Sequence, residues 1–391
     1  MFSSSIIGEV LKLLPRDLVS SCVGEHRSDR WRKHFKTWDH LVALVVAQLS
    51  EAGSLRDLET VLNQHEKHHY HLHTGPLRRS TLSDANQGRS YEVFRDIALA
   101  LMEHQSRRSS ELKNLVTVLD SSQITLRGRG KNWARKQRTR SNHSALKLHV
   151  QYDHDSQYPS YVEVSDVTVN DVVQAQGLSL DSNRIYVFDK GYCDYNWWKR
   201  IADTEARFVT RLKRNAAFKA VETRSIEEED QGLILKDQVI ELTNKTPRAG
   251  AKNELAGIPL RLIEIKHPAG KDQPFWIVSN DLKASAAQIA GWYKQRWSIE
   301  LLFKWLKQNL KIKSFIGESR NAILIQLFCA IIAYILLKRF HEHTQTPASM
   351  RLKDLVVMVR TSLFMRPDTI LKRQHRRRQI SQNQFCLWAE T

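Results

Sequence analysis

Residues 283–313 read KASAAQIAGWYKQRWSIELLFKWLKQNLKIK. Past Gly291 no Pro or Gly interrupts the run, and Ala, Leu, Lys, Gln and Glu favour helix. The stretch is therefore expected to form one helix. At about 100° per residue, Tyr293, Arg296, Glu300 and Lys307 fall within about 60° of one another, in one polar stripe. The rest of the circumference carries Trp292, Trp297, Ile299, Leu301, Leu302, Phe303, Trp305, Leu306 and Leu310. A helix apolar almost all round is expected to be buried. A buried stripe of Tyr, Arg, Glu and Lys is costly unless its groups are paired or bound to something charged. One reading is an internal ion pair, with Arg296 and Glu300 at i,i+4. The other is a functional site.

The composition narrows the partner. The chain has 391 residues, with 60 Lys and Arg against 42 Asp and Glu, a formal charge of +18. It is long enough for two or more domains. An excess of this size implies a polyanion, and charge alone leaves DNA, RNA and an anionic membrane surface open. Cys22, Cys193, Cys329 and Cys386 are scattered without a CxxC pair. That argues against a zinc site and a disulfide framework, and a reducing cytoplasm is the simplest home. Glu9 and Lys12 break the first apolar stretch, so the N-terminus does not read as a signal peptide. The most apolar run, AILIQLFCAIIAYILL at 322–337, is short for a membrane span and contains Gln326. A buried core helix is expected.

Two upstream stretches end in a carboxylate after an apolar run: LVTVLD at 115–120 and IYVFD at 185–189. Both read as buried strands, with Asp120 and Asp189 at their ends. No acidic residue falls between Ser121 and Tyr152, while Arg127, Arg129, Lys131, Arg135, Lys136, Arg138, Arg140 and Lys147 do. A phosphate-facing segment and a solvated basic loop are the two readings of that stretch. ALKLHVQYD and PSYVEVSDV alternate as half-buried antiparallel strands do. A helix over 196–206 and the strand FVTRLK at 208–213, which carries Arg211, follow the second Asp. Residues 215–282 hold three further strands, DQVIEL, PLRLIEI and FWIVSN, with turn-rich stretches between them.

The N-terminal 65 residues read as helices, with Ser54 a candidate N-cap for Leu55–Leu62. Between them lies a basic run, His26, Arg27, Arg30, Arg32, Lys33 and His34, interleaved with Trp31 and Phe35. It reads either as a track for a phosphate backbone or as a solvated loop. HEKHHYHLHTG at 65–75 is expected to be a polar surface segment. Ser80 or Thr81 is a candidate cap for a short helix. The basic cluster at 372–378 reads first as solvated tail.

The full pattern Tyr-x2-Arg-x3-Glu-x6-Lys at Tyr293, Arg296, Glu300 and Lys307 resembles the signature of the insertion-sequence-4 family of transposases. LDSSQITLRGR, ALKLHVQYD and the Lys190-Gly191-Tyr192-x2-Tyr195 block after Asp189 are similar to the same family. The likeness runs over about residues 5–340. It implies an α/β chain with a ribonuclease-H-like catalytic core, a β-rich insertion and an N-terminal helical DNA-binding domain. The expected divisions are 1–65 for end binding, 66–112 as helical connector, 113–214 and 283–345 as the core, 215–282 as the insertion, and 346–391 as a basic helix and tail.

The resemblance also implies chemistry. Asp120, Asp189 and Glu300 would be a DDE triad holding two Mg²⁺ ions, with Mn²⁺ able to substitute. Tyr293, Arg296, Lys307, Arg127, Lys131, Arg135, Lys136 and Arg211 would contact DNA. Trp276 is the candidate platform for a flipped base, should a hairpin form, with burial in the insertion core as its more ordinary reading. The implied activity is cut-and-paste transposition on double-stranded DNA ends and target. It would be carried out by a homodimer in a synaptic complex, at the nucleoid of a bacterial cytoplasm, with no membrane partner. A catalytically silent DNA-binding protein and a purely hydrolytic nuclease are the competing classes.

Overall fold

The computed structural model describes residues 5–106, 115–126, 133–135, 144–244, 252–266, 273–344 and 350–367. The chain divides into two compact units. One is built from the segment up to Leu101 and from Trp305 onward, the other from Met102 to Leu126 and from Ala134 to Lys304.

The first unit is helical. It opens with α1 (Ile6–Lys12), α2 (Arg16–Glu25), α3 (Thr37–Leu49) and α4 (Leu55–Gln64). Ser54 caps α4 as its sequence suggests, accepting from the amide of Asp57. α5 (His69–Leu72) follows, then α6 (Arg79–Gly88) and α7 (Glu92–Ser106), of which residues up to Leu101 belong to this unit. Two expectations are corrected here. α6 begins at Arg79, so Ser80 and Thr81 lie inside the helix and do not cap it. The histidine-rich segment is not simply surface: His68 and His69 are buried, and the His69 ring bonds the carbonyl of Leu62 at 2.9 Å.

The second unit carries a nine-stranded sheet. Its strands are β1 (Leu115–Thr125), β2 (Ala145–Asp153), β3 (Tyr158–Asp166), β4 (Arg184–Phe188), β5 (Arg207–Arg211), β6 (Phe218–Thr223), β7 (Ile234–Leu242), β8 (Pro259–Ile265) and β9 (Phe275–Ser279). The order across the sheet is β3-β2-β1-β4-β5-β9-β8-β7-β6. β1, β4 and β5 run parallel, and the other pairings are antiparallel. The first five strands make the mixed sheet of a ribonuclease-H-like core. The strands of 215–282 extend that sheet, because β9 pairs directly with β5. α8 (Asp171–Gln176) and α9 (Tyr195–Asp203) contribute to one buried cluster with Leu119, Tyr186, Phe188 and Phe208. Trp197 and Trp198 of α9 are fully buried there.

The decisive stretch forms two helices where one was expected: α10 (Ala286–Lys294) and α11 (Trp297–Asn309). Ser285 and Gln288 close a capping box at the start of α10. Between the helices the backbone tightens to three-residue spacing, with Arg296 N–H on Tyr293 and Ser298 N–H on Gln295. Propensity could not foresee this, since every residue at the junction tolerates helix. The expectation of burial all round is also corrected: Trp297 and Leu301 stay more than half exposed. α10 packs on β4, β5, β7, β8 and β9.

Past Lys304 the chain belongs to the helical unit. α12 (Arg320–His343) is long and apolar enough to cross a membrane, yet its side chains are buried within the unit, against α1, α3, α6 and α13 (Leu352–Thr361). Gln326, the polar residue inside it, is fully used. It donates to the carbonyls of Lys311 and Ser314 and accepts from the amide of Ile316.

Candidate active site

The parallel pairing of β1 with β4 ends at Leu119 opposite Phe188. Those two side chains point into the core cluster. Side chains alternate across a strand, so Asp120 and Asp189, one step further, share the opposite face. Asp120 is not at a strand end as expected: β1 runs on to Thr125, paired with β2. Only its parallel neighbour stops there.

Arg296, at the junction of the two helices, joins the third carboxylate to this pair. Its guanidinium is 3.6 Å from the Asp120 carboxylate and bonds Glu300 one turn along. Burial pushes the Asp120 carboxyl up to about 6, with Asp189 and Glu300 adding to the rise. The Ser121 amide and Arg296 pull the other way. Burial alone would lower Arg296, but Tyr293, Glu300 and Asp120 leave it raised. Tyr293 is buried, which drives its phenol well above the ordinary range, and it hydrogen-bonds Arg296.

Arg211, the last residue of β5, lies on this same face. Its guanidinium sits 3.8 Å from the Phe275 ring centre, and Phe275 packs against Tyr293 at 5.5 Å between ring centres. Trp276 is not brought here. It points to the other face of β9, into the core cluster, edge-on to Phe218 at 5.6 Å. Alternation along FWIVS separates the two rings, and only the register of β9 on β5 reveals which one faces the carboxylates. Phe275 was therefore missed.

Lys307 lies two turns along α11, within the other compact unit. Burial and neighbouring Lys313 lower its ammonium. Arg135 is exposed. Arg127, Arg129, Lys131, Lys136, Arg138 and Arg140 lie outside the described residues, as does the 372–378 cluster. Lys147 is turned inward, bonding the carbonyl of Val169 at 2.6 Å and Asp171 at 3.1 Å.

A second network stands behind β1, also unforeseen. The Ser121 amide donates to Asp120 at 2.8 Å, while its hydroxyl donates to Asp171 at 2.7 Å. Lys147 and His149 flank Asp171, and the Tyr192 hydroxyl meets Ser121. Alternation along LKLHV placed Lys147 and His149 on one face, but nothing local identified Asp171 as their partner.

Among the described residues no three His, Cys, Asp or Glu side chains stand close enough, as placed, to grip one ion. The Arg296 guanidinium lies between two of the carboxylates. The donor set is nonetheless that of a hard cation: carboxylate oxygens only. Burial first, and Asp189 and Glu300 after it, raise the Asp120 carboxyl, and a dication bound there would favour its charged form.

Comparisons with known proteins bear on the family. Residues 111–336 match the Transposase DDE domain family, and residues 3–73 match a domain of unknown function, DUF4372. A protein of Sinorhizobium fredii named as transposase y4zB is 37% identical over 73% of this chain and 78% of its own length. A Geobacillus stearothermophilus protein named as a transposase for insertion sequence element IS5377 is 27% identical over 70% of each chain. The cryo-EM structure of a piggyBac transposase synaptic complex with hairpin DNA covers 91% of this chain and 79% of that one, at 13% identity and a TM-score of 0.45. Asp120 and Asp189 side by side, with Glu300 tied in through Arg296, lie wholly within the matched domain, and the chain belongs to the DDE-domain transposases, the DNA-cleaving enzymes of insertion sequences.

Proposed function

We propose that the chain is a cut-and-paste transposase of the insertion-sequence-4 kind, acting at the terminal inverted repeats of its element. The observation that carries this is the carboxylate set around Asp120, which burial, with a smaller push from Asp189 and Glu300, holds up to about 6. Asp120, Asp189 and Glu300 would hold Mg²⁺, as two ions for which Mn²⁺ can substitute, supplying Lewis-acid activation of the attacking oxygen and stabilisation of the leaving one. Arg296 offers a planar fork that suits phosphate oxygens once it leaves the carboxylates. Arg211 supplies a second cation on the same face. Tyr293 and Phe275 supply rings there, and Phe275 is better placed than Trp276 to support an unstacked base. Lys307 adds a charge further along α11. The helices of residues 1–65 contribute recognition of the ends, Arg135 and the basic stretch around it contact the backbone, and two copies bridge two ends in the cytoplasm.

The test is a supercoiled plasmid carrying both ends of the element, incubated with Mg²⁺ and resolved into nicked, excised and joined products. Asp120→Asn should keep fold and DNA binding and lose every product, because a neutral amide is a poor ligand for a hard dication. Wild-type nicking by that variant would refute the site. Nicked but never joined product from the wild-type chain would make it a hydrolytic nuclease.

A further inference from the structure

Between α2 and α3 the chain makes a tight loop, and Arg27 and Trp31 within it adopt left-handed backbone with φ of 48° and 65°. A residue with a Cβ holds that conformation only where its surroundings impose it. The surroundings here are dense. The His26 ring meets Asp96 at 2.6 Å, and Asp29 accepts both the amide and the hydroxyl of Thr37 at 2.7 Å. Ser28 bonds the Thr37 hydroxyl at 2.7 Å, and Arg89 reaches the carbonyl of Phe35 at 2.9 Å.

This bracing holds Trp31 out in solvent. It is 88% exposed, more than any other large hydrophobic side chain among the described residues. Arg30 lies 5.3 Å from its ring centre. Arg27, Arg32, Lys33 and His34 are all exposed around it. The loop's acid, Asp29, is turned inward to Thr37 and Arg89. A protein-docking site would present a wider apolar patch. One ring inside a ring of cations is the composition of a nucleic-acid stacking platform.

We propose that the loop at 27–34 is a DNA contact in which Trp31 stacks on a nucleobase freed from its partner, while Arg30, Arg32 and Lys33 hold the flanking phosphates. The inference rests on the reading that the chain acts on DNA, and it adds a second contact site within the helical unit. Stacking on an indole is sequence-tolerant, so the loop recognises an unpaired or extruded base, not a particular one.

The experiment uses the full chain and two short duplexes, one fully paired and one carrying a single bulged 2-aminopurine. Wild type should bind the bulged duplex more tightly and quench its fluorescence. Trp31→Ala should lose affinity for the bulge by about 5- to 100-fold, with the quench, and change little on the paired duplex. Trp31→Phe should retain most of both. Lys33→Ala should weaken both duplexes and flatten the salt dependence by about one counterion. If Trp31→Ala matches wild type on both duplexes while wild type nicks plasmid DNA, the role of the loop is refuted and the DNA reading stands. If Trp31→Ala changes only the mass of the assembly, the loop is a protein interface and the proposal fails. If wild type binds neither duplex and nicks nothing, the DNA reading falls and the loop's role with it.

Discussion

Arg296 holds its guanidinium 3.6 Å from the carboxylate of Asp120, the residue whose acid form burial favours most clearly at this site. The same guanidinium bonds Glu300. A cation of the protein thus stands where the carboxylates would otherwise repel one another.

Removing that cation should sharpen metal binding while destroying catalysis. Arg296→Ala is expected to bind Mn²⁺ about fivefold more tightly, the scale of one partly exposed ion pair released from competition. DNA nicking should fall by on the order of 10²-fold or more as the fork proposed for the phosphate is lost. Electron paramagnetic resonance titration of Mn²⁺ reads the first effect and a plasmid gel the second. Unchanged or weaker metal binding would show that Arg296 does not compete for the carboxylates.

Ser121 ties the front of β1 to the back. Its amide survives substitution, so Ser121→Ala removes only the hydroxyl that donates to Asp171. The expected result is a rate of nicking lower by about tenfold, one buried hydrogen bond's worth, with DNA affinity unchanged. Ser121→Thr should recover most of the loss. An equal fall in DNA affinity would mean the hydroxyl serves the fold at large.

Asp237 and Arg261 form a buried ion pair across β7 and β8, with both oxygens of the carboxylate engaged. Arg261 also donates to the carbonyls of Leu282 and Ala284, just ahead of α10. Asp237→Ala leaves an uncompensated buried guanidinium and should cost about 3–5 kcal/mol of unfolding free energy. Urea unfolding followed by circular dichroism measures it. A cost below about 1 kcal/mol would show that water or another group replaces the carboxylate.

His40 sets an acid limit on the helical unit. Arg89 can only donate, so His40 Nδ1 accepts at 3.0 Å and Nε2–H donates to Asn86 at 2.8 Å. Burial, reinforced by Arg89, lowers its pKa to about 3. The unfolded chain takes up the proton near 6.5, so the stability from neutral His40 is complete above that pH and is lost as the pH falls towards 3. Between pH 6.5 and 4.5 the loss should reach roughly 2 kcal/mol. His40→Gln should flatten that slope relative to wild type in urea titrations at stepped pH. Identical slopes would show that other groups set the acid limit.

The strands, the two aspartates that follow them and the nearness of Tyr293, Arg296 and Glu300 were legible because each is a local pattern: an apolar run closed by a carboxylate, a period of two, a short helical spacing. The single helical stripe reaching to Lys307 was not found. Ser54 was legible as a cap for the same reason. What stayed hidden was relational. The break at Gln295–Arg296 occurs among good helix formers. The choice of Phe275 over Trp276 depends on the register of β9 against β5. Asp171 reaches Ser121 from fifty residues away. The β6 strand, largely exposed, has too little apolar alternation to announce itself.

The way the strands of 215–282 lengthen the sheet has a bearing on the chain as it leaves the ribosome. Asp120 and Asp189 emerge early, and β5 is complete at Arg211, but its second neighbour β9 arrives only with Phe275–Ser279. The helix that leads to Glu300 rests on β7, β8 and β9 as well as on β4 and β5. Its docking ground therefore does not exist until the whole insertion has been translated and paired. A product that ends before Phe275 carries Asp120 and Asp189 and lacks the β9 strand on which α10 rests. The order of synthesis thus brings Glu300 beside the two aspartates only after the insertion is complete, and a copy truncated before Phe275 lacks part of the ground on which α10 rests.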